Sequence, residues 1–104
     1  MQKNNFLKFL GICKKSGKLI SGDYSVEKGI LKNKISLIIL SEDASKEKVS
    51  KFTKLASTYK IDIITYFNKE ELGLSIGRAL CSVIGLTDEN QKKKVMNLYK
   101  DIDN

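Results

Sequence analysis

Three stretches of the chain are apolar without the alternation of a half-exposed strand: Ser36-Leu37-Ile38-Ile39-Leu40-Ser41, Ile61 to Phe67, and Leu80 to Leu86. Runs of that length predict strands covered on both faces. Lys18-Leu19-Ile20-Ser21 is long enough only for a short strand. Between these runs the apolar positions change to helical spacing. Phe6, Phe9, Leu10 and Cys13 mark a first helix, capped by Asn4 or Asn5 and ended near Ser16-Gly17. Val26 and Ile30 mark a second, from about Asp23 to Lys32, with Asn33 as a left-handed stop. A third, capped by Ser45, buries Val49, Phe52, Leu55, Ala56 and Tyr59. Asn68 caps a short helix that closes in the Gly73 to Gly77 segment, and Thr87 or Asp88 opens a last one with Val95, Leu98 and Tyr99 inward. The order is α-β-α-β-α-β-α-β-α. It predicts an α/β chain forming a single-domain three-layer α/β/α sandwich over a mixed four-stranded sheet, residues 1–104, with 100–104 set apart as a tail.

Charge sharpens this picture. The 104 residues carry 19 basic and 12 acidic side chains and no histidine, a formal net charge of +7. Residues 1–34 hold a net of +6, residues 35–91 a net of −1, and residues 92–104 a net of +2. Lysine concentrated in the first third suggests a footprint for a polyanion, against the plainer alternative of a solvated lysine-rich face. No apolar run reaches the roughly 18 residues of a membrane span, and the N-terminal segment lacks an h-region. A cytoplasmic protein, with no membrane partner, is expected. Two isolated cysteines, Cys13 and Cys81, fall short of a zinc ligand set and are expected to be buried free thiols; no metal or cofactor is expected.

The stretch GKLISGDYSVEKGILK, Gly17 to Lys32, is the candidate docking edge. Gly22 beside a helix start leaves outward-facing backbone N–H groups, and Lys28 and Lys32 lie one turn apart on the helix that follows. A phosphate-binding loop is excluded at Gly11 to Lys18, where five residues separate the glycines instead of four and Leu19 follows the lysine. Glu42 and Asp43 are adjacent and point apart, so they form no catalytic dyad; Asp43 is expected to shape its loop through backbone amides. The turn at Gly22 to Ser25, the turn at Glu42 to Ser45, and the approach Gly77 to Leu80 are expected to share one sheet end. That would gather Lys28, Lys32, Arg78, Ala79 and Leu80 around one patch. Arg78, the only arginine, suits bidentate phosphate contact or base stacking, or is an ordinary surface side chain.

The segments GKLISGDYSVEKGILKNKISLIILSEDAS and ELGLSIGRALCSVIGLTD resemble the kink-turn-binding ribosomal protein family (the L-seven-Ae family), and within it the short bacterial YlxQ-like members. The resemblance runs from about Phe6 to Leu98. It rests on Gly-Lys…Ser-Gly at 17–22, Glu-Asp-Ala-Ser at 42–45 and Leu-Gly…Ile-Gly at 72–77. It implies a three-layer fold and non-catalytic binding of structured RNA. Gly22 and Lys28 match the family's readout turn, whereas Tyr24 stands where an Asn, and Ser25 where a Glu, would read sheared G·A pairs. Lys32 falls where the family often has a basic residue, Ser45 where some members are acidic, and Arg78, Ala79 and Leu80 on the loop that packs against a flipped-out nucleotide. Losing polar base readout costs about 1–3 kcal/mol per contact. Tyr24 is left either to stack on an unpaired base or to pack on its neighbours.

These observations predict an RNA-binding monomer that is no enzyme and has no small-molecule substrate, with structured RNA, rRNA included, as its partner and the ribosome or its proteins as associates. The predicted contacts are Lys18, Gly22, Asp23, Tyr24, Ser25, Lys28, Lys32, Ser45, Arg78, Ala79 and Leu80. The alternative is a ribosome-associated protein-interaction module whose specific RNA readout is weakened or lost.

Overall fold

Leu37, Ile38, Ile39 and Leu40 are all buried, which requires cover on both faces of the strand they form. The computed structural model, which describes residues 2–103, supplies that cover from five helices around four strands. The elements are α1 (Gln2–Lys15), β1 (Leu19–Ser21), α2 (Asp23–Leu31), β2 (Leu37–Leu40), α3 (Lys46–Tyr59), β3 (Asp62–Thr65), α4 (Lys69–Ser75), β4 (Val83–Leu86) and α5 (Glu89–Asp103). The sheet order is β1-β4-β2-β3. β4 runs antiparallel to both β1 and β2, and β2 pairs with β3 in parallel, so the sheet is mixed as the pattern predicts.

Side chains of successive strand residues divide between two cores. Leu37 and Ile39 with Ile84 and Leu86 face Phe6, Phe9 and Leu10 of α1, Leu72 of α4 and Val95 of α5. Ile38, Leu40 and Val83 face Val26 and Ile30 of α2 and Phe52 and Ala56 of α3. Phe6 packs on Phe67 with ring centroids 4.8 Å apart, which ties α1 to the end of β3. Cys13 and Cys81 are buried free thiols, and burial pushes both above the ordinary thiol range.

Most predicted elements fall within a few residues of their expected bounds, and Asn33 does stop α2 in the left-handed region, at φ 58°. The last helix continues through Lys100 to Asp103, and Asn104, the end of the expected tail, lies outside the described residues. Two expectations are corrected. Ile61 to Phe67 yields not a buried central strand but β3 at the sheet edge, with Asp62 and Thr65 exposed. Of the stripe expected on α3, Phe52 and Ala56 are buried, Leu55 and Tyr59 are partly buried against the same core, and Val49 is exposed. α3 lies over that same edge, where the sheet ends and cannot cover a wider stripe.

Candidate functional site

β1 turns into α2 through a single residue. Gly22 sits at φ 96°, ψ 150°, a region essentially closed to residues with a Cβ. Its N–H donates to the Val83 carbonyl (3.1 Å) and its carbonyl accepts from the Val26 N–H (3.0 Å), so the backbone is held on both sides of the turn. No side chain caps this helix. The first-turn amides of Asp23, Tyr24 and Ser25 therefore remain available as donors at the positive end of the helix dipole. Tyr24 is 74% exposed, and the Lys28 Nζ lies 5.6 Å from its ring centroid, so the pair forms one outward ridge on α2. A tyrosine this exposed does not pack into the fold.

The second wall is the 77–80 loop. Gly73 fixes its position: a Cβ there would fall 2.8 Å from the Arg78 carbonyl oxygen and 2.9 Å from the Leu80 backbone. Only a bare backbone in α4 lets the loop lie this close. The Arg78 N–H in turn donates to the Gly73 carbonyl (2.8 Å), and the Arg78 guanidinium donates to the Ser21 hydroxyl (2.9 Å), joining the loop to the end of β1. Ala79 and Leu80 are exposed beside it.

The third wall comes from the loop after β2. Asp43 accepts from the Lys69 N–H (3.0 Å), as expected of a loop-shaping carboxylate. The Ser45 hydroxyl caps α3 by accepting from the Lys48 N–H (3.2 Å), and this sets Lys48 one turn in, where its Nζ meets the Asp23 carboxylate at 2.9 Å. Gly22, Asp23, Lys48, Lys69, Arg78 and Leu80 thus line a shallow cleft of about 280 Å³. Among the described residues there is no group of three or more His, Cys, Asp or Glu that could hold a metal ion. No described helix is long and apolar enough to cross a membrane.

The predicted residues do not all meet here. Gly22, Asp23, Arg78 and Leu80 line the cleft; Tyr24, Ser25 and Lys28 continue from it along α2; Ser45 and Ala79 stand on its rim loops. Lys18 and Lys32 lie elsewhere, which corrects the expectation of a patch that includes Lys32. Lys18 precedes β1 and pairs with Asp88 (3.5 Å), and Lys32 ends α2, both at the opposite end of the sheet. Sequence reasoning missed Lys48 and Lys69. The signal for Lys48 was its place three residues after the Ser45 cap; its reach to Asp23 depends on packing between distant elements.

Comparison with known proteins bears on the family and the fold. The model of the ribosomal protein L7Ae/L30e/S12e/Gadd45 family matches residues 4–97. The chain is 32% identical over 89 residues to RNA-binding protein YlxQ of Bacillus subtilis (strain 168), covering 86% of this chain and 89% of that one. It is 26% identical over 94 residues to RNA-binding protein YlxQ of Enterococcus faecium, covering 90% of each. The solved structure of a Bacillus halodurans protein with unknown function superposes with a TM-score of 0.86 at 29% identity, covering 89% of this chain and 94% of that one.

Proposed function

The chain belongs to the ribosomal protein L7Ae/L30e/S12e/Gadd45 family, and on that premise we propose that it is a non-catalytic, ribosomal-protein-like RNA-binding protein that docks structured RNA on the cleft end of its sheet. The family and the names of its two relatives support an RNA partner. The observation that carries the site is the uncapped first turn of α2 facing Arg78 and Leu80 across the cleft, with Tyr24 exposed beside it.

In this reading the amides of Asp23 to Ser25 and the Arg78 guanidinium hold phosphate or a base edge. Leu80 and Ala79 pack against an unstacked nucleotide, Tyr24 stacks on a base, and Lys28 supports it. Asp23 and Ser45 serve by position: one anchors Lys48 to the turn, the other caps the helix that carries it. A kink-turn is the structured RNA that best suits the fold, with readout by Tyr24 in place of polar side chains. The protein works as a cytoplasmic monomer on ribosomal or related RNA.

One observation favours a second reading. The cleft end is not basic: Asp23, Glu42, Asp43, Glu47, Glu70 and Glu71 offset Lys3, Lys46, Lys48, Lys69 and Arg78. A surface balanced in charge also suits a ribosome-associated protein contact. Crosslinking and sequencing of bound RNA, beside a Lys28→Ala/Arg78→Ala control, separates the two. Enrichment of defined structured RNAs that the control loses supports RNA docking. Recovery of a nuclease-resistant protein partner with no RNA enriched supports the other.

A further inference from the structure

We propose that the end of the sheet opposite the cleft is a second RNA-binding surface, one that holds phosphodiester backbone without reading bases, so that one molecule joins two RNA segments. Strand pairing defines this end. Leu19 pairs with Leu86, Leu86 with Leu37, and Leu37 with Asp62, so the connections into β1, β2 and β3 and out of β4 emerge together. They bring Lys14, Lys15, Lys18, Lys32, Lys34, Lys60 and Lys92 to one end, against Asp62, Asp88 and Glu89. Lys18 neutralises Asp88 and Lys92 neutralises Asp62 (3.1 Å). Lys14, Lys15, Lys32, Lys34 and Lys60 remain, all exposed and without an ion-pair partner among the described residues, against Glu89 as the one named acid left unpaired. Lys14 and Lys15 end the helix on one side of the sheet and Lys32 and Lys60 end the helices on the other, so the five cations flank one sheet end of a molecule that extends 33 × 27 × 27 Å.

Helix dipoles account for part of this. Lys14, Lys15 and Lys32 sit at helix C-termini, where a cation is favoured anywhere. Lys60, in the left-handed position that ends α3 at φ 55°, is placed in the same way, whereas Lys34 lies in a connection beyond any helix and has no such explanation. The nature of the partner follows from the side chains. Lysine is depleted in the cores of protein interfaces, and flexible ammonium groups without a planar fork suit phosphate as point charges, with no base readout. Ile35, the large apolar residue within these connections that precedes β2, is buried.

This inference borrows from the proposed function only the class of ligand. Two probes test it: a kink-turn hairpin immobilised on a surface, and labelled poly(U) added after the protein. The variant K14Q/K15Q/K32Q/K34Q/K60Q is compared with the same five positions as arginine and with Tyr24→Ala/Arg78→Ala. The glutamine variant should stay folded and melt only slightly lower, since every site is exposed and only the favourable helix-end charges are given up, while the arginine variant should melt as wild type. Wild type and the arginine variant are expected to capture poly(U) on the hairpin. The glutamine variant should lose at least about tenfold in capture, with the slope of log Kd against log salt reduced by about 3. Tyr24→Ala/Arg78→Ala should bind the kink-turn hairpin no better than a hairpin without the kink-turn and should keep poly(U). Equal capture and equal slope in the glutamine variant overturn the second surface alone. Competition by polyglutamate as strong as by poly(U) overturns its assignment to RNA. Failure of the wild type to bind either probe overturns this surface and the proposed function together.

Discussion

At the cleft end of the sheet, backbone fit does the work: Gly22 turns β1 directly into α2, and Gly73 lets the Arg78 loop rest on α4. Charge there is balanced, with Lys48 and Asp23 paired. At the opposite end the connections are ordinary, and five exposed lysines are left over after the ion pairs are formed. Shape and charge are thus separated along one axis. A surface that recognises a particular RNA fold needs fixed donors and a few apolar contacts, while one that holds any backbone needs only cations near phosphate. On the two proposed assignments, affinity and specificity can be altered independently.

The largest effect should come from removing the exposed side chains of the cleft end. Tyr24→Ala with Arg78→Ala is expected to weaken binding to a kink-turn hairpin by about 2–4 kcal/mol, one stacking and one charged contact, in equilibrium titrations at fixed salt. Retention of wild-type affinity would mean that Tyr24 and Arg78 do not hold the RNA. Next in size, Gly73→Ala forces a Cβ against the Arg78 carbonyl and should cost about 1–3 kcal/mol in denaturant unfolding, with a parallel loss of hairpin binding and none of poly(U) binding. Ser45→Ala removes an N-cap and should cost about 1 kcal/mol, while Ser45→Asp restores it. If Ser45→Ala instead loses RNA affinity at unchanged stability, Ser45 is a contact and not only a cap. The smallest effect is the Asp23–Lys48 coupling, about 0.2–1 kcal/mol in a double-mutant cycle.

Acid provides a test at both ends together. The hydrogen bond from Lys3, then the Asn68 amide, hold the Glu71 carboxyl below its ordinary range at the cleft end. The Gln91 amide, with Lys18 nearby, does the same for Asp88 at the other, against a smaller opposing effect of burial. Both groups bind protons more weakly folded than unfolded. Their stabilisation is therefore complete above the ordinary carboxylate pKa and is lost as pH falls through the lower folded value. Urea midpoints should fall below about pH 4.5, and less steeply in Glu71→Gln, which keeps an acceptor for the Asn68 amide. An unchanged acid limb in that variant would remove Glu71 from the account.

Much of this fold was legible in the chain. The helical spacing of Phe6, Phe9, Leu10 and Cys13, the unbroken run Leu37 to Leu40 and the Asn68 cap each carry a local physical signal, and each recurs in the structure. The edge position of β3 was not legible, because an apolar run does not say which strands will flank it. The charge was misplaced for a related reason. A net of +6 in the first 34 residues looks like one footprint, yet residues just before a strand and just after it lie at opposite ends of a sheet. Lys18, expected beside the turn, precedes β1 with Lys14 and Lys15, while Gly22 follows it, so these lysines and the turn are separated by the length of that strand. Lys48 and Lys69 escaped notice because their place on the cleft depends on contacts between elements far apart in sequence.

The central claim is that structured RNA docks on the uncapped first turn of α2 and the loop facing it. Amide chemical shifts recorded during titration with a kink-turn hairpin test this most directly. The largest changes are expected at Gly22 to Ser25 and Gly77 to Leu80, present at high salt and reduced by Tyr24→Ala. Changes confined to the connections around Lys14 to Lys18 and Lys32 to Lys34, with Gly22 to Ser25 unmoved at saturation, would contradict it.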